Sequence, residues 1–303
     1  MGHTRSETPG RNPRSTRRGI VAIAATTTLV LTGWGNSGPV SAAGGNPGLH
    51  AMLPKAIQQS GKIIDIINSP YAPMEFSPPG SSNFTGFDID MARAVARKLG
   101  VSLQLENVQF PQVIPSITTH RGDMAWTAVL DLKKRHGVLS FIDYFKTGAQ
   151  LYTSAANRSK YRAVSDLCGQ SVVVPSGTNY AQIIQGLSGT RCRGRGSISI
   201  LQVTSTAEQQ LQIKEGRAAA AMIGVETILD TMRHNRGQWS LIGKIFEPDY
   251  YGIVFARNGG QLLNAVHAAL QAAVHDGTYH RILVKWGLAR SGLARPLINA
   301  ARH

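Results

Sequence analysis

The feature of the sequence that most constrains the fold is a repeated alternation of short apolar segments with longer amphipathic ones. Lys62–Ile67 is an apolar run typical of a buried strand, and turn-forming residues follow it at 68–70. Residues 88–99 place apolar side chains on one helical face, and Gly100 ends that segment, so we predict a helix. The cycle returns in predicted strands at 101–106, 124–129, 171–174, 198–203, 218–223 and 252–256, and in predicted helices at 111–119, 205–216, 261–274 and 278–286. Strands that alternate with helices in this way form a largely parallel sheet covered by helices, which is the α/β class.

Polar residues at the starts of the helices predict how these helices begin. We expect Asp88 or Asp90 to cap the first helix and Thr178 to open the helix that follows the strand at 171–174. Ser205 and Glu208 have the spacing of a capping box.

Size and charge limit the classes of function. A chain of 303 residues that is 42% hydrophobic can bury a large core and has the length of about two compact units. Its formal net charge of +15 raises nucleic acid as a partner. The basic residues are scattered, however, with no interleaved aromatic residues and no nucleic-acid motif, so we expect no nucleic-acid partner. A basic surface near anionic wall polymer or lipid is the simpler interpretation.

The N-terminal residues 1–43 have the three-part layout of an export signal. Several arginines, including the pair Arg17-Arg18, precede an apolar run at 19–31, and small residues follow at 40–43. The run is too short for a comfortable membrane span. Residues 31–35 resemble a bacterial lipobox in which Trp34 stands where the lipid-carrying cysteine would be. We therefore expect an exported protein without a lipid anchor, either cleaved near Ala42 or Ala43 or retained by an uncleaved signal.

Two cysteines, Cys168 and Cys192, lie in the part that would be exported. An even number of cysteines in an oxidising compartment favours a disulfide over two free thiols. Without a nearby pair of histidines they make a poor zinc site, and we expect no metal or cofactor.

Collinear motifs across residues 60–288 resemble those of the family 3 extracellular solute-binding proteins of polar amino-acid ABC transporters, of the glutamate- and glutamine-binding type found in actinobacteria. The matching segments are 71–76 (YAPMEF), 86–91 (GFDIDM), 113–116 with 121–123, 131–135 with 141–145, 166–169 with 176–178, and 277–279 with 285–287.

The resemblance implies the type II fold of periplasmic binding proteins, with two α/β lobes, a cleft between them and two hinge crossings. On this plan the first lobe comprises 55–150 and 252–290, the second 154–248, and 291–303 is a C-terminal tail. The hinges would lie at 150–153 and 248–251. The protein would work as a monomer that captures a small molecule by hinge closure and delivers it to a membrane permease.

The resemblance also places a ligand-binding site. Arg135 stands where the family keeps the arginine that binds the ligand carboxylate with two parallel hydrogen bonds. Read by itself, Arg135 belongs to an exposed basic run at 133–136, Phe110 fits a core position equally well, and Thr178 and Asn179 fit helix caps. The complete predicted set is Asn68, Tyr71, Phe110, Thr127, Ala128, Leu130, Arg135, Thr178, Asn179, Gly224 and Glu226.

Some of these positions depart from the family pattern. The family usually has acidic residues near Asn68 and near Gly224, which together neutralise the ligand ammonium, whereas both residues are uncharged here. Glu226 lies two residues further on, and Leu130 and Leu132 stand where small hydroxyl residues are common. We therefore expect an amino acid, a modified amino acid or another small carboxylate as the ligand.

Two alternatives remain open. Some enzymes share this fold, such as cyclohexadienyl dehydratase, and Glu75, His136 or Glu226 would be the candidate acids or bases. None of them belongs to a recognised catalytic motif, so we expect no enzymatic activity. The other alternative is an exported sensor or degenerate scaffold that binds a partner protein.

Overall fold

The computed structural model describes residues 45–303, which alternate strands and helices. The strands are β1 (Lys62–Ile67), β2 (Ser102–Asn107), β3 (Met124–Leu130), β4 (Leu139–Ser154), β5 (Ser171–Pro175), β6 (Ser199–Val203), β7 (Ala220–Gly224), β8 (Trp239–Ala256) and β9 (Gly292–Ile298). The helices are α1 (Pro47–Ala51), α2 (Lys55–Ser60), α3 (Phe87–Leu99), α4 (Phe110–Thr118), α5 (Tyr180–Arg191), α6 (Thr206–Lys214), α7 (Val225–His234), α8 (Gly260–His275) and α9 (Thr278–Lys285).

The strands form one continuous sheet with the order β2-β1-β3-β8-β4-β7-β5-β6, and β9 also pairs with β4. β1 pairs in parallel with β2 and β3, and β5 pairs in parallel with β6 and β7. The long strands β4 and β8 pair with each other in antiparallel orientation and join the two parallel sets. The predicted α/β class is confirmed, and the sheet is mixed because the two joining strands run against their neighbours.

Each parallel set is the centre of one lobe with its own core. Successive residues of a strand point to opposite faces of the sheet. In β3, Met124 and Trp126 therefore join a core with α3 and α8, while Ala125 and Val129 join a smaller core with α4. In the second lobe, β5 and β7 alternate in the same way between two further cores. β4 and β8 contribute side chains to the cores of both lobes, so they are the two crossings between the lobes.

The predictions about helix starts hold in part, and the predicted cap of the first helix is wrong. α3 begins at Phe87 after Gly86, without a side-chain cap, because the carboxylate of Asp88 binds partners elsewhere in the first lobe. α5 begins at Tyr180, whose backbone N–H donates to the Thr178 hydroxyl oxygen at 3.4 Å, so Thr178 does stand at the opening of this helix, while its own O–H donates to the carbonyl of Pro175. Ser205 does cap α6, but Glu208 accepts from Thr204 instead of the Ser205 backbone.

The backbone at Gly86 explains why a glycine precedes α3. Its φ is 133°, a conformation that L side chains rarely adopt. A Cβ at this position would also overlap the carbonyl of Met74. Gly86 therefore allows the chain to pass close to residues 74 and 75 as it enters the helix.

Cys168 and Cys192 form the predicted disulfide, with Cα atoms 5.3 Å apart. Cys168 follows a short 3₁₀ turn, and Cys192 directly follows α5. Both sulfur-bearing residues pack against the core of the second lobe. The bridge therefore encloses β5 and α5.

Among residues 45–303, no helix has the length and apolar character needed to cross a membrane. The predicted export signal at 1–43, with its lipobox-like segment, lies outside the described residues.

Candidate functional site

A cavity with a volume of about 50 Å³ lies between the two lobes. Its lining includes the following predicted residues of the first lobe: Asn68, Tyr71, Phe110, Thr127, Ala128, Leu130 and Arg135. Thr178 and Asn179 line it from the second lobe. Within the described part of the chain, Gly224 and Glu226 are the predicted residues that stand outside this lining.

Arg135 reaches the cavity from a 3₁₀ turn, Lys133–Arg135, that follows β3. One guanidinium nitrogen, Nη1, donates to the carbonyl oxygen of Leu130 at 2.7 Å, which fixes the side chain. Burial lowers the pKa of Arg135, and the nearby charge of Asp131 opposes this shift. No carboxylate of the described residues forms an ion pair with Arg135. Its remaining N–H groups are therefore available to a carboxylate from outside the chain.

Asp131, the nearest acidic neighbour in sequence, is directed to other partners. One of its oxygens pairs with His136 Nε2, and the other accepts from the backbone N–H of Ala301 at 3.0 Å. Asp131 is completely buried. These contacts explain why the guanidinium and the adjacent carboxylate do not neutralise each other directly.

Aromatic rings form much of the apolar wall. Tyr71 and Phe110 were predicted, and Tyr180 and Tyr251 join them from the start of α5 and from β8. Neither Tyr180 nor Tyr251 was predicted from the sequence. The Tyr71 hydroxyl lies 3.3 Å from that of Tyr251, so rings from distant parts of the chain meet at one edge of the cavity. Aromatic faces of this kind bind apolar groups while their hydroxyls remain hydrogen-bonded.

Glu226 lies next to these tyrosines, at the start of α7. Its Oε1 accepts from the hydroxyls of Tyr251 at 2.9 Å and Tyr71 at 3.2 Å, and its Oε2 accepts from Thr147 at 2.7 Å. Burial raises its pKa, whereas the hydroxyl donors lower it. A Cβ at Gly224 would overlap Glu226 Oε1. The glycine thus provides the space that the carboxylate occupies.

Glu75 is the carboxylic acid in the cavity lining. Its Oε1 accepts from the Thr127 hydroxyl at 2.6 Å, while its Oε2 is buried without a partner in the described chain. Burial and the neighbouring Asp88 raise the pKa of Glu75 well above its usual range. The same burial raises the pKa of Asp88 to about 7. Asp65 completes this group of buried acids, with a pKa that burial also raises.

The backbone that carries Thr127 and Leu130 is bent at Ala128. Ala128 has a φ of 46°, a left-handed conformation that costs a non-glycine residue about 1–3 kcal/mol. Its N–H donates to Asp88 Oδ2 at 2.9 Å, and the pairing of β3 with β8 shifts register between residues 125 and 129. Asp88 therefore stabilises the bend that turns this part of β3 toward the cavity.

Among the described residues that line the cavity from the second lobe, two have a polar atom that is buried without a partner, namely Asn179 Oδ1 and Thr206 Oγ1. Both residues line the cavity, and both stand at the start of a helix. Thr178 uses its hydroxyl within its own loop. Asn179 and Thr206 therefore offer hydrogen bonds that a ligand would complete.

The C-terminal tail braces the turn that holds Arg135. Backbone N–H groups of Ala300, Ala301 and Arg302 donate to Asp143, Asp131 and Asp249, respectively. The carbonyl of His303 accepts from the Lys133 backbone at 2.9 Å. The tail thus connects the Arg135 turn with both crossing strands, because Asp143 lies on β4 and Asp249 on β8.

Known proteins are similar to this chain in sequence and in fold. The chain is 25% identical over 255 residues to the arginine-binding protein ArgT of Corynebacterium glutamicum, which covers 84% of this chain and 83% of that protein. It is 24% identical over 232 residues to the L-cystine-binding protein TcyJ of Escherichia coli K12, covering 76% of this chain and 84% of that protein.

The fold also matches the crystal structure of the ancestral amino acid-binding protein AncCDT-1, a precursor of cyclohexadienyl dehydratase. The TM-score is 0.69 at 23% identity, and the match covers 76% of this chain and 97% of that one. At this identity the likeness concerns the fold alone. The model of the bacterial extracellular solute-binding proteins, family 3, matches residues 63–289. The chain therefore belongs to the family 3 bacterial extracellular solute-binding proteins.

Proposed function

We propose that this protein is the extracytoplasmic substrate-binding component of an ABC importer, and that its cavity binds an amino acid or a related small carboxylate through Arg135. The observation that carries the proposal is the guanidinium of Arg135, which lines an interlobe cavity without a carboxylate partner in the described chain. A ligand carboxylate would accept two parallel hydrogen bonds from the remaining N–H groups of this guanidinium.

The lining from both lobes supports a mechanism of hinge closure. A ligand on Arg135 in the first lobe would also complete the unpartnered atoms of Asn179 and Thr206 in the second. Such a ligand gains all of its contacts only when the lobes are together, so binding shifts the population toward the closed form. That form of a monomeric binding protein would then dock on the membrane permease. The relatives named above support this role.

The direct test is a calorimetric titration with a panel of amino acids and small organic acids. We expect at least one of them to bind the wild-type protein, and Arg135→Ala to weaken that binding roughly 30-fold or more, because the ligand carboxylate loses a buried ionic partner. Arg97→Ala is the matched control, since it removes the same charge from an exposed position in the last turn of α3. Equal affinity in the two variants would remove Arg135 from the site.

Export is the second part of the proposal. The predicted signal at 1–43 supports it, as does membership of a family of extracellular proteins. Expression of the full chain in a bacterial host, followed by fractionation and intact-mass measurement, tests it. We expect the protein outside the cytoplasm, and a mass that corresponds to cleavage near residue 42 or 43 if the signal is removed.

A dehydratase is the second candidate, and the position of Glu75 favours testing it. A carboxylic acid in a cavity can act as a general acid when burial raises its pKa, as it does for Glu75. Incubation of the pure protein with prephenate or arogenate, followed by chromatography of the products, distinguishes the two candidates. We expect both compounds to remain unchanged. Conversion that disappears in Glu75→Gln would establish the enzyme.

A further inference from the structure

The balance of charge around the cavity limits the ligands that it accepts. Within the described chain, the residues that line it include one cationic side chain, Arg135, and one carboxylic acid, Glu75. The other lining groups are uncharged hydroxyls, amides, prolines and aromatic rings. The net charge of the cavity lining therefore depends on whether the carboxyl group of Glu75 is protonated.

Glu75 is placed where a negative charge is difficult to hold. It is 1% exposed, and Asp65 and Asp88, the acids that raise its pKa, are both fully buried. Its stabilising contact is the single hydroxyl of Thr127. Because the three carboxyl groups are buried close to one another, ionisation of one disfavours ionisation of the next. The ionised form of Glu75 is therefore disfavoured in the folded protein, and Glu75 balances the charge of Arg135 poorly.

Glu226, the other acid close to the cavity, is engaged elsewhere. Both of its oxygens accept hydroxyl hydrogen bonds, from Tyr71, Tyr251 and Thr147. The phenol rings of Tyr71 and Tyr251 line the cavity, whereas Glu226 itself does not. Its carboxylate is thus separated from the ligand space by these two tyrosines.

We infer that the cavity is selective for a small monocarboxylic acid with an apolar body and no amino group. One carboxylate on Arg135 neutralises the site, and the rings of Phe110 and Tyr180 with the side chain of Leu130 provide apolar contacts for the rest of the ligand. An α-amino acid would bring an ammonium group into a space that already contains a guanidinium, and the acid in the described lining, Glu75, is buried with a single hydroxyl donor. This inference rests on the proposed carboxylate-binding function and narrows its ligand class.

Matched pairs of ligands test the inference on the wild-type protein. The pairs are propanoate with L-alanine, 4-methylpentanoate with L-leucine, and 3-phenylpropanoate with L-phenylalanine, each titrated calorimetrically at pH 7. We expect the acid without the amino group to bind at least about tenfold more tightly in every pair that binds, since an unpaired buried ammonium is costly. Arg135→Ala should abolish binding of both members.

The outcomes separate the inference from the proposed function. Equal or tighter binding of the amino acids, still dependent on Arg135, would overturn the inference and leave the carboxylate-binding function in place. Binding that persists in Arg135→Ala, or no binding by any carboxylate of either panel, would overturn the function itself and the inference with it.

Asn68→Asp provides a second, independent measurement. Asn68 lines the cavity, and its side-chain amide donates to the Val108 carbonyl at 2.8 Å. An aspartate has nearly the same shape and introduces a negative charge, but it cannot donate this hydrogen bond. A local defect would weaken both members of a pair equally. The readout is therefore the ratio of the two affinities, which we expect to shift toward the amino acid by about fivefold or more, as a new opposite charge pairs with the ammonium.

Asn107→Asp is the matched control, because it makes the same change at an exposed neighbour outside the lining. Its affinity ratio should equal that of the wild-type protein. An unchanged ratio in a folded Asn68→Asp variant, or an equal shift in Asn107→Asp, would contradict the proposed charge balance.

Discussion

The disulfide should contribute a large and measurable part of the stability of the second lobe. Cys168 and Cys192 are separated by 24 positions, so the bond closes a loop of about 25 residues in the unfolded chain. The loop-entropy relation gives a loss of about 12 cal/mol/K for this length, which corresponds to about 3.5 kcal/mol at 25 °C. For a chain of this size, that amount lowers the melting temperature by roughly 7–14 °C.

The assay compares thermal melting, followed by far-ultraviolet circular dichroism, for the oxidised protein, the reduced protein and the double variant Cys168→Ala/Cys192→Ala. We expect the reduced protein to melt 7–14 °C below the oxidised one, which is roughly the shift derived above. The double variant should melt close to the reduced protein, slightly lower because Cys192 is buried in the core of the second lobe. Reductant should not change the double variant. Identical melting of the oxidised and reduced proteins would refute the reasoning.

Two further predictions concern the buried acids. Because the folded state raises the pKa of Asp88 to about 7 and of Asp143 to about 8, it binds protons that the unfolded chain releases near pH 4. Their contribution to stability is complete below that pH and is lost as pH rises through roughly 7–8. The melting temperature, measured at fixed ionic strength, should therefore fall between about pH 5 and 8. A rise of the melting temperature over this range would contradict the prediction. Deletion of 299–303 removes backbone donors from Asp131, Asp143 and Asp249, at about 1–3 kcal/mol for each. Melting and titration of the truncated chain should show lower stability and weaker ligand binding, and an unchanged protein in both assays would contradict the bracing role.

The elements that could be predicted from the sequence are those whose pattern is local. β1, α3, β3 and β7 follow from runs of apolar residues with period 2 or 3.6 and from a glycine at the end of a helix. The lengths of β4 and β8 could not be predicted in this way. They extend over 16 and 18 residues because they pair with each other as they cross between two cores, and such pairing depends on residues about 100 positions apart.

Helix starts show the same limit. Asp88 has the type and position of an N-cap, and nothing in its neighbourhood in the sequence indicates another role. Its carboxylate instead accepts from the Ala128 backbone and the Tyr144 hydroxyl, both far along the chain. A tertiary contact that stabilises a strained strand is thus stronger than the local preference for capping. β9 was missed for a related reason, since its partner β4 is about 150 residues away.

The candidate site could be predicted in the first lobe better than at the crossings. Arg135, Tyr71 and Asn68 follow from collinear motifs, and all three line the cavity. Tyr180 and Tyr251 were missed because no local pattern brings the start of α5 next to a crossing strand. Glu75 stood in a recognised motif, and an acid between Met74 and Phe76 in an apolar segment was a usable signal of burial.

The position of the C-terminal tail links stability to ligand binding. The tail lies beyond residue 289, where the match to the family ends, yet it contacts the turn that carries Arg135 and both crossing strands. A hinge motion changes the geometry of the two crossing strands. The three acids that hold the tail still need their backbone hydrogen-bond donors for as long as these acids remain buried. The tail therefore either remains docked on the crossings while the lobes move or adds a cost to each opening. Comparison of the full chain with one ending at Ile298 distinguishes these cases, because only the second predicts faster ligand release after truncation.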